Sequence, residues 1–305
     1  MVQQALNRHA QIVIPPETKF FFSLVGHSHK HQRQHIGRLE HDLRVTLPRL
    51  TRRLCTPDEC RAFYRDMARR YVERLHRKDV TYFGDKTPEH TGHLPRIRRL
   101  FPEARVLVLY RDGRDVAASL RHMPWMSPDL YVCFLVWLYY HRVLQDVRTE
   151  GWPGACFARY EDIVADPHTE FARILDFLGL PYEPAVAEGC GNREGIPERE
   201  IAWKGRALEP ITAERVGAFR RELSAVQIET LERLGRHALP SLGYELVTDG
   251  KRPLSPGFLL RLFCNTSRFV CRLPWRSLLN EVLGRTRLPA AARRSAPASF
   301  LPVRP

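Results

Sequence analysis

Arg111 and Ser119 form the pattern in this sequence that best suits anion binding. Arg111 directly follows the apolar segment 105–110 (RVLVLY), and Ser119 lies eight positions later in a predicted helix, 115–122. A guanidinium holds a phosphate through two parallel hydrogen bonds, a hydroxyl adds a third, and the helix N-terminus contributes N–H groups and a favourable dipole. We therefore predict a phosphate site. The alternative is a surface patch of ion pairs among the neighbouring residues Asp112, Arg114 and Asp115.

Lys86 and Glu17 are candidates for acting on a transferred group. Lys86, in DKTP, lies in a predicted loop before a helix that Thr87 is expected to cap. There its ammonium would neutralise charge on a bridging oxygen; the alternative is a solvated lysine paired with Asp85. Glu17, in IPPETKFF, follows two prolines and precedes an aromatic run, which suits a general base toward a hydroxyl. The alternative interpretation of Glu17 is a structural carboxylate that the helix dipole stabilises at a helix N-terminus.

Tyr160 and the segment 203–206 complete the candidate residues. Tyr160 ends a predicted strand, and its ring either faces a nucleotide base or packs in the core. The segment in IAWKGRALEP is predicted to be a flexible lid over an anionic nucleotide, with an ordinary basic loop as the alternative. Its residues are Trp203, Lys204, Gly205 and Arg206.

Alternating strands and helices must position these residues. The predicted strands are the short apolar segments 11–14, 80–84, 105–110 and 156–160. Helical patterns separate or follow them, which indicates an α/β fold with a parallel sheet flanked by helices. Ligands bind beyond the carboxyl ends of such strands, where Lys86, Arg111 and Tyr160 fall.

Net charge and cysteine spacing indicate which classes of partner and which cellular compartment to expect. The chain has 48 Lys and Arg against 34 Asp and Glu, a net charge of +14, which favours an anionic partner. No helix-turn-helix signature or basic strand with interleaved aromatic residues is present, so no nucleic-acid partner is expected. The seven cysteines show neither CxxC nor zinc-finger spacing. We therefore expect no metal site and a reducing, cytoplasmic location.

The sequence changes character after Gly250. Residues 1–250 are predicted to form the α/β domain, and 251–305 a basic extension rich in Pro and Arg. An amphipathic helix is predicted over 258–279, and from 285 the composition is typical of disorder. A weak contact of this extension with a membrane surface is one interpretation, and a helix packed on the domain is the other. The predicted polar side of the helix carries Arg261, Arg268, Arg272 and Arg276.

Taken in order, three blocks resemble the sulfotransferase family that uses 3′-phosphoadenosine 5′-phosphosulfate, in its tyrosylprotein-type and bacterial branch. The blocks are NRHAQIVIPPETKFFFS, DKTPEHTGHLPRIRRLFPEARVLVLYRDGRDVAASL and RYEDIVADPHTEFARILDFLGLPYEP. The likeness covers roughly residues 7–244 and implies a fold similar to P-loop nucleotide kinases, with no metal requirement. It implies sulfuryl transfer to an acceptor hydroxyl or amine.

The resemblance also assigns a role to each candidate residue. It makes Glu17 the base and Lys86 the cation that stabilises the transferred sulfuryl group. Arg111 and Ser119 would hold the 3′-phosphate, and Tyr160 would lie near the adenine. The segment 203–206 aligns loosely with the loop that covers the adenosine.

One family feature is expected directly before Val2. It is the first strand with its loop of the type PRSGTT, which binds the 5′-phosphosulfate. We expect either a start codon placed too late or a truncated, inactive relative. In the second case the chain would bind a 3′-phosphonucleotide without turnover, or act as a basic anion-binding protein. The acceptor class stays open among protein tyrosine, carbohydrate, lipid and small-molecule hydroxyls, as does homo-oligomer formation.

Overall fold

The computed structural model describes residues 1–25, 27–54, 56–188 and 211–272. These residues fall into two compact units. The first holds 1–105 with 171–188 and 211, and the second holds 106–170 with 212–272. In these ranges, no helix combines the length and the apolar character that crossing a bilayer requires.

The first unit contains two short parallel strands, β1 (Ile12–Val13) and β2 (Tyr82–Phe83). Ile12 pairs with Tyr82 and Val13 with Phe83, and the side chains of β1 are buried. The helical segments are Val2–Leu6, the π-helical turn Phe20–Leu24, His29–Leu43, Pro57–Arg74, the 3₁₀ turn Pro88–His93, Leu94–Leu100 and Ala185–Glu188.

Side chains fix the carboxyl end of β1. The Asn7 amide donates to the Ile14 carbonyl at 2.9 Å, and its oxygen accepts from the Ile14 N–H at 2.6 Å. Gln3 Nε2 donates to the Pro15 carbonyl at 2.7 Å. Buried backbone groups need such partners, and here polar side chains provide them. The loop that carries Glu17 therefore leaves β1 in a defined direction.

The helix Pro57–Arg74 shows how the sequence sets an element of this unit. Thr56 and Glu59 form a reciprocal capping box, and proline occupies the first helical position. The buried side chains recur every three or four residues, which gives the helix one apolar face. They are Cys60, Phe63, Met67 and Tyr71.

The second unit contains the longer parallel strands β3 (Val106–Tyr110) and β4 (Ala155–Arg159). Their register runs from Val106↔Ala155 to Tyr110↔Arg159. The helix Pro167–Leu178 begins in this unit and ends in the first. The other helices are Gly113–Leu120, Leu130–Thr149, Tyr160–Ala165, Phe219–Glu222, Ala225–Leu234, Ala238–Ser241 and Pro256–Arg272.

Trp137 fixes the turn between β3 and the next helix. Its indole N–H donates to the Arg111 carbonyl at 3.1 Å, and its ring lies against Gly113. A Cβ atom at position 113 would lie 2.5–2.6 Å from the indole, closer than packed atoms tolerate. Only glycine therefore fits here, and the close contact holds Arg111 at the strand end.

The structure confirms the predicted α/β class with parallel strands, although β1 and β2 are shorter than the apolar segments. The apolar periodicity of residues 226–239 predicts one amphipathic helix, and this prediction is wrong, because the segment divides at Gly235 into Ala225–Leu234 and Ala238–Ser241. A Cβ atom at Gly235 would lie 2.7 Å from the Phe134 ring, so only glycine fits at the position where the helix ends. Residues 273–279 of the predicted C-terminal helix, and the segment expected to be disordered, lie outside the described ranges.

Candidate active site

Glu17 and Lys86 are in direct contact in the first unit. Glu17 follows β1 and Lys86 follows β2, and the carboxyl ends of parallel neighbours meet at one edge. Glu17 Oε1 and Lys86 Nζ are 2.5 Å apart. The Glu17 side chain is 15% exposed and that of Lys86 is 41% exposed. The structure thus brings the candidate base and the candidate cation together, and Lys86 pairs with Glu17 rather than with Asp85.

Asp85 is instead a buried acceptor that joins the two loops. The Thr18 hydroxyl donates to Asp85 Oδ2, and the Thr87 hydroxyl donates to Asp85 Oδ1 at 3.0 Å. Thr87 Oγ1 also accepts from the Lys19 N–H at 3.2 Å. Burial raises the pKa of Asp85 to about 6, against the opposing effect of the two hydroxyl donors. Thr87 is the N-cap residue of the next helical turn, as predicted, but its hydroxyl makes no capping hydrogen bond and donates to Asp85 instead.

Two buried histidines support the same loops. His90 Nε2 accepts from the Phe21 N–H at 3.3 Å, which leaves its Nδ1 facing Asp85 Oδ1 at 3.7 Å. His35 Nε2 donates to the Thr18 carbonyl at 2.9 Å. Burial lowers the pKa of His90 to about 3 and that of His35 to about 4. Both rings are therefore neutral at pH 7 and serve as fixed hydrogen-bonding groups.

Arg111 and Tyr160 come together in the second unit. Arg111 follows β3 and Tyr160 follows β4, so the parallel pairing brings both to one edge. The Arg111 Cζ atom lies 4.4 Å from the centre of the Tyr160 ring, a cation–π contact. Its Nη2 donates to Asp115 Oδ2 at 3.3 Å and to the Arg215 carbonyl. Tyr160 therefore orients the guanidinium.

Arg111 keeps one N–H available for a ligand. Its Nε atom is buried and has no hydrogen-bond partner among the residues that the structure describes. A buried donor without an acceptor is costly, and a phosphate oxygen would satisfy it. The side chain as a whole is 19% exposed, so part of the guanidinium group faces solvent beside this buried donor.

Ser119 lies on the helix face that Arg111 contacts. Asp115 and Ser119 are four positions apart in the helix Gly113–Leu120 and are therefore neighbours on its surface. Asp115 contacts Arg111, which places Ser119 about one helical turn, ~5.4 Å along the axis, from that contact. No hydrogen bond links the Ser119 hydroxyl to the Arg111 guanidinium in the described part of the chain. The two predicted phosphate ligands share a face without touching.

The alternative of a surface ion-pair patch is wrong, because the neighbouring charges are buried. Arg114 is 2% exposed and bonds Asp112 through Nε at 3.0 Å and Nη2 at 2.7 Å. It also pairs with Glu232, which accepts from the backbone N–H groups of Val247 and Thr248. Breaking such a network leaves buried charge without a partner. Arg114 thus anchors the turn that follows Arg111.

The sequence did not reveal Thr18, Thr87 and His90 as parts of the site. Thr18 and Asp85 are 67 positions apart, and only the β1–β2 pairing brings them into contact. The neighbouring DKTP motif was the available signal, since it placed an acid and a hydroxyl on either side of Lys86.

The predicted lid residues Trp203, Lys204, Gly205 and Arg206 lie outside the described ranges. Within those ranges, no group of three or more His, Cys, Asp or Glu side chains is arranged to hold a metal ion.

Comparison with known proteins places the chain in a family. The model of the Sulfotransferase family matches residues 1–184. A Caenorhabditis elegans protein provisionally named a protein-tyrosine sulfotransferase is 33% identical over 104 residues, which are 32% of this chain and 40% of that protein. Nodulation protein NoeE of Sinorhizobium fredii is 24% identical over 277 residues, 80% of this chain and 63% of that protein.

Among solved structures, a sulfotransferase domain from the Synechococcus PCC 7002 olefin synthase is similar. The TM-score is 0.49 at 18% identity, with 90% of each chain covered. The chain spans less than two thirds of the length of the curated relatives described above. The family match extends over more than half of the sequence and includes Glu17, Lys86, Arg111, Ser119 and Tyr160. The chain therefore belongs to the sulfotransferase family, enzymes whose general chemistry is sulfuryl transfer.

Proposed function

We propose that this chain transfers the sulfuryl group of 3′-phosphoadenosine 5′-phosphosulfate to an acceptor hydroxyl or amine. The observation that carries the proposal is the 2.5 Å contact between Glu17 and Lys86 at the carboxyl ends of β1 and β2. A carboxylate and an ammonium side by side, partly shielded from water, can remove one proton and stabilise one developing negative charge. Transfer of a sulfuryl group to a hydroxyl needs both actions.

Glu17 accepts the proton of the acceptor, and Lys86 stabilises the oxygen that becomes negative. Without substrate, Glu17 and Lys86 are hydrogen-bonded to each other. When the acceptor binds, this contact is replaced by contacts of each side chain with the reacting atoms. When bound, the donor supplies an activated sulfuryl group: its S–O bond to the 5′-phosphate breaks as an S–O bond to an acceptor hydroxyl, or an S–N bond to an acceptor amine, forms. The acceptor proton is then on Glu17, and adenosine 3′,5′-bisphosphate is released.

Arg111, Ser119 and Tyr160 are the residues proposed to hold the 3′-phosphate end of the nucleotide. The unsatisfied Arg111 Nε supports a phosphate ligand, and the Tyr160 ring keeps the guanidinium in place. Ser119 lies one turn beyond Asp115 and adds a hydroxyl. The resemblance assigns the covering of the adenosine to the basic segment 203–206, which lies outside the described ranges.

Measuring sulfuryl transfer tests the catalytic assignment. The assay uses the full reading frame, including any codons upstream of Met1, with labelled donor. Tyrosine peptides are the first acceptors because one relative is named for them; carbohydrate, lipid and small-molecule hydroxyls follow. We expect Glu17→Gln to lower turnover by about 10²–10⁴-fold and Lys86→Met by about 10²–10³-fold. The matched control is the exposed pair Arg69–Glu73, whose removal leaves turnover unchanged.

Direct binding of adenosine 3′,5′-bisphosphate tests the assignment of the nucleotide-binding residues, and it requires no acceptor. Titration calorimetry of Arg111→Ala should show affinity reduced by roughly 10–100-fold, because a charge-assisted contact is lost. Binding that depends on Arg111 without turnover on any acceptor would identify a non-catalytic relative. Full turnover by Glu17→Gln would contradict the assignment of the base.

A further inference from the structure

The helix Pro256–Arg272 exposes an apolar face that the function proposed above does not use. Leu259 is 48% exposed, Leu260 is 65% exposed and Phe263 is 70% exposed. Cys264 and Cys271, also exposed, lie on the same side one and three turns beyond Leu260. Exposed apolar side chains that cluster in this way mark interaction sites more often than isolated ones do.

Contacts on the opposite face fix the rotation of this helix. The Phe258 ring packs edge-on against Tyr131 with ring centres 4.9 Å apart, and Leu262 is buried. Asn265 Nδ2 donates to Asp129 Oδ2 at 2.6 Å. Tyr131 and Asp129 lie at the start of the helix Leu130–Thr149 in the same unit. The helix is thus anchored through one face, and Leu260 and Phe263 point away from it.

Charge identifies the partner of the exposed face. Arg261 and Arg268 are exposed along one flank of the apolar residues. From Lys251 to Arg272 the sequence has five basic residues and no acidic one. From 251 to the end there are eleven basic residues and one acidic residue, Glu281, so this stretch carries ten of the fourteen net positive charges. A partner for this face must therefore be both apolar and negatively charged.

We propose that the face formed by Leu259, Leu260, Phe263 and the flanking Arg261 and Arg268 binds the surface of an anionic membrane. Helices with apolar side chains on one face and Arg beside them lie in the lipid interface, with the apolar groups among the acyl chains. Arginines at the level of the headgroups add electrostatic attraction to anionic lipid. Docking of a second copy would bring like charges together, and a nucleic acid offers no apolar layer to Leu260 and Phe263.

Vesicle binding by the full chain tests this proposal. We expect binding to vesicles of phosphatidylcholine with phosphatidylglycerol, and much weaker binding to phosphatidylcholine alone or at high salt. Leu260→Ser with Phe263→Ser should lower the partition coefficient by at least roughly 100-fold. Arg261→Gln with Arg268→Gln should lower it by about 30-fold. The control is Val226→Ser with Val247→Ser, which changes two other exposed apolar residues of the same unit, 46% and 45% exposed, and leaves binding unchanged.

A spectroscopic measurement separates insertion from surface attraction. The emission of Leu260→Trp should shift to the blue on mixed vesicles, and circular dichroism should show the fold of every variant intact. Vesicle binding unaffected by Leu260→Ser with Phe263→Ser would overturn the proposal, because charge alone would then explain it. A dimer in sedimentation that this double variant dissociates, without vesicle binding, would assign the face to a second copy. Binding to duplex DNA in preference to mixed vesicles would overturn the proposal as well.

Discussion

The buried Asp85 carboxylate connects the loop of Glu17 with the loop of Lys86. Thr18, next to Glu17, donates to one carboxylate oxygen, and Thr87, next to Lys86, donates to the other. The two candidate catalytic residues are therefore held in contact by the residues beside them. We interpret Asp85 as a positioning residue, since its side chain is 6% exposed and its hydroxyl donors are Thr18 and Thr87.

A hydroxyl at position 18 is therefore expected to matter for turnover. Thr18→Val removes the hydroxyl that donates to Asp85 Oδ2 and should lower kcat by roughly 10-fold, the effect of one lost buried hydrogen bond. Thr18→Ser retains the hydroxyl and should keep kcat near its original value. Steady-state kinetics with each variant checks this, and KM for the donor should be unchanged. Equal losses of kcat in Thr18→Val and Thr18→Ser would contradict a role for the hydrogen bond.

At the residue scale, sequence reasoning identified the groups that carry charge but not all of their partners. Glu17, Lys86, Arg111 and Tyr160 were found because proline, strand ends and a motif mark their positions. The sequence did not reveal the partner of Lys86. The alternative interpretation paired Lys86 with the adjacent Asp85. Proximity in sequence suggested that pair, whereas the β1–β2 register selects Glu17.

At the scale of elements, the turn from β3 into Gly113–Leu120 depends on the absence of a side chain. Gly113→Ala would place Cβ within 2.6 Å of the Trp137 ring. We expect this change to lower the free energy of unfolding by about 1–3 kcal/mol, the usual cost of overpacking. Thermal or urea unfolding measures it. The affinity of the Gly113→Ala protein for adenosine 3′,5′-bisphosphate should also fall, since Trp137 accepts no other position without moving its hydrogen bond to the Arg111 carbonyl.

Gly37 provides the matched control for this prediction. It lies within the helix His29–Leu43, and a Cβ atom there would meet nothing within 4 Å. Gly37→Ala should therefore raise the free energy of unfolding by about 0.5–1 kcal/mol through helix propensity. A stabilising Gly113→Ala would refute the packing argument.

Strands and long helices were predictable from apolar runs and caps, and their ends were not. Among the described residues, short apolar runs identified all four strands, because such runs between turn residues are typical of strands. The requirement for glycine at position 235 comes from the Phe134 ring, about a hundred positions earlier, and no local signal contains that contact. The two-unit division of the described residues likewise arises from long-range packing that composition does not encode.

At the scale of the whole molecule, buried histidines make stability depend on pH. Burial lowers the pKa of His35 to about 4 and those of His90 and His93 to about 3, against an ordinary value of 6.5. The unfolded chain thus binds more protons below pH 6.5, and the stability that neutral rings contribute is lost as pH falls. Asp85 acts in the opposite direction, because its folded pKa of about 6 exceeds 3.8 and the fold binds that proton first.

Three histidines outweigh one aspartate, so we expect the free energy of unfolding to fall between pH 6.5 and 4. Each histidine contributes at most about 1.4 kcal/mol per pH unit. Urea unfolding across this range measures the slope. His93→Phe should reduce the slope, because it removes one histidine whose pKa is lowered in the folded chain. The substitution breaks no hydrogen bond, since the buried ring nitrogens of His93 have no partner in the described ranges. His41→Gln, at an exposed position, should leave the slope unchanged; a slope identical in all three proteins would contradict the prediction.

The pairing of β1 with β2 has a consequence for how such a chain can diverge. Glu17 and Lys86 are 69 positions apart, yet their contact follows from a register of only two residue pairs and the loops beyond it. The intervening helices contribute packing, while the strand register sets the distance between the Glu17 carboxylate and the Lys86 ammonium. Insertions, exchanged surface residues and altered loop lengths between the strands are therefore compatible with an unchanged pair, and variation can accumulate there while the chemistry stays constant.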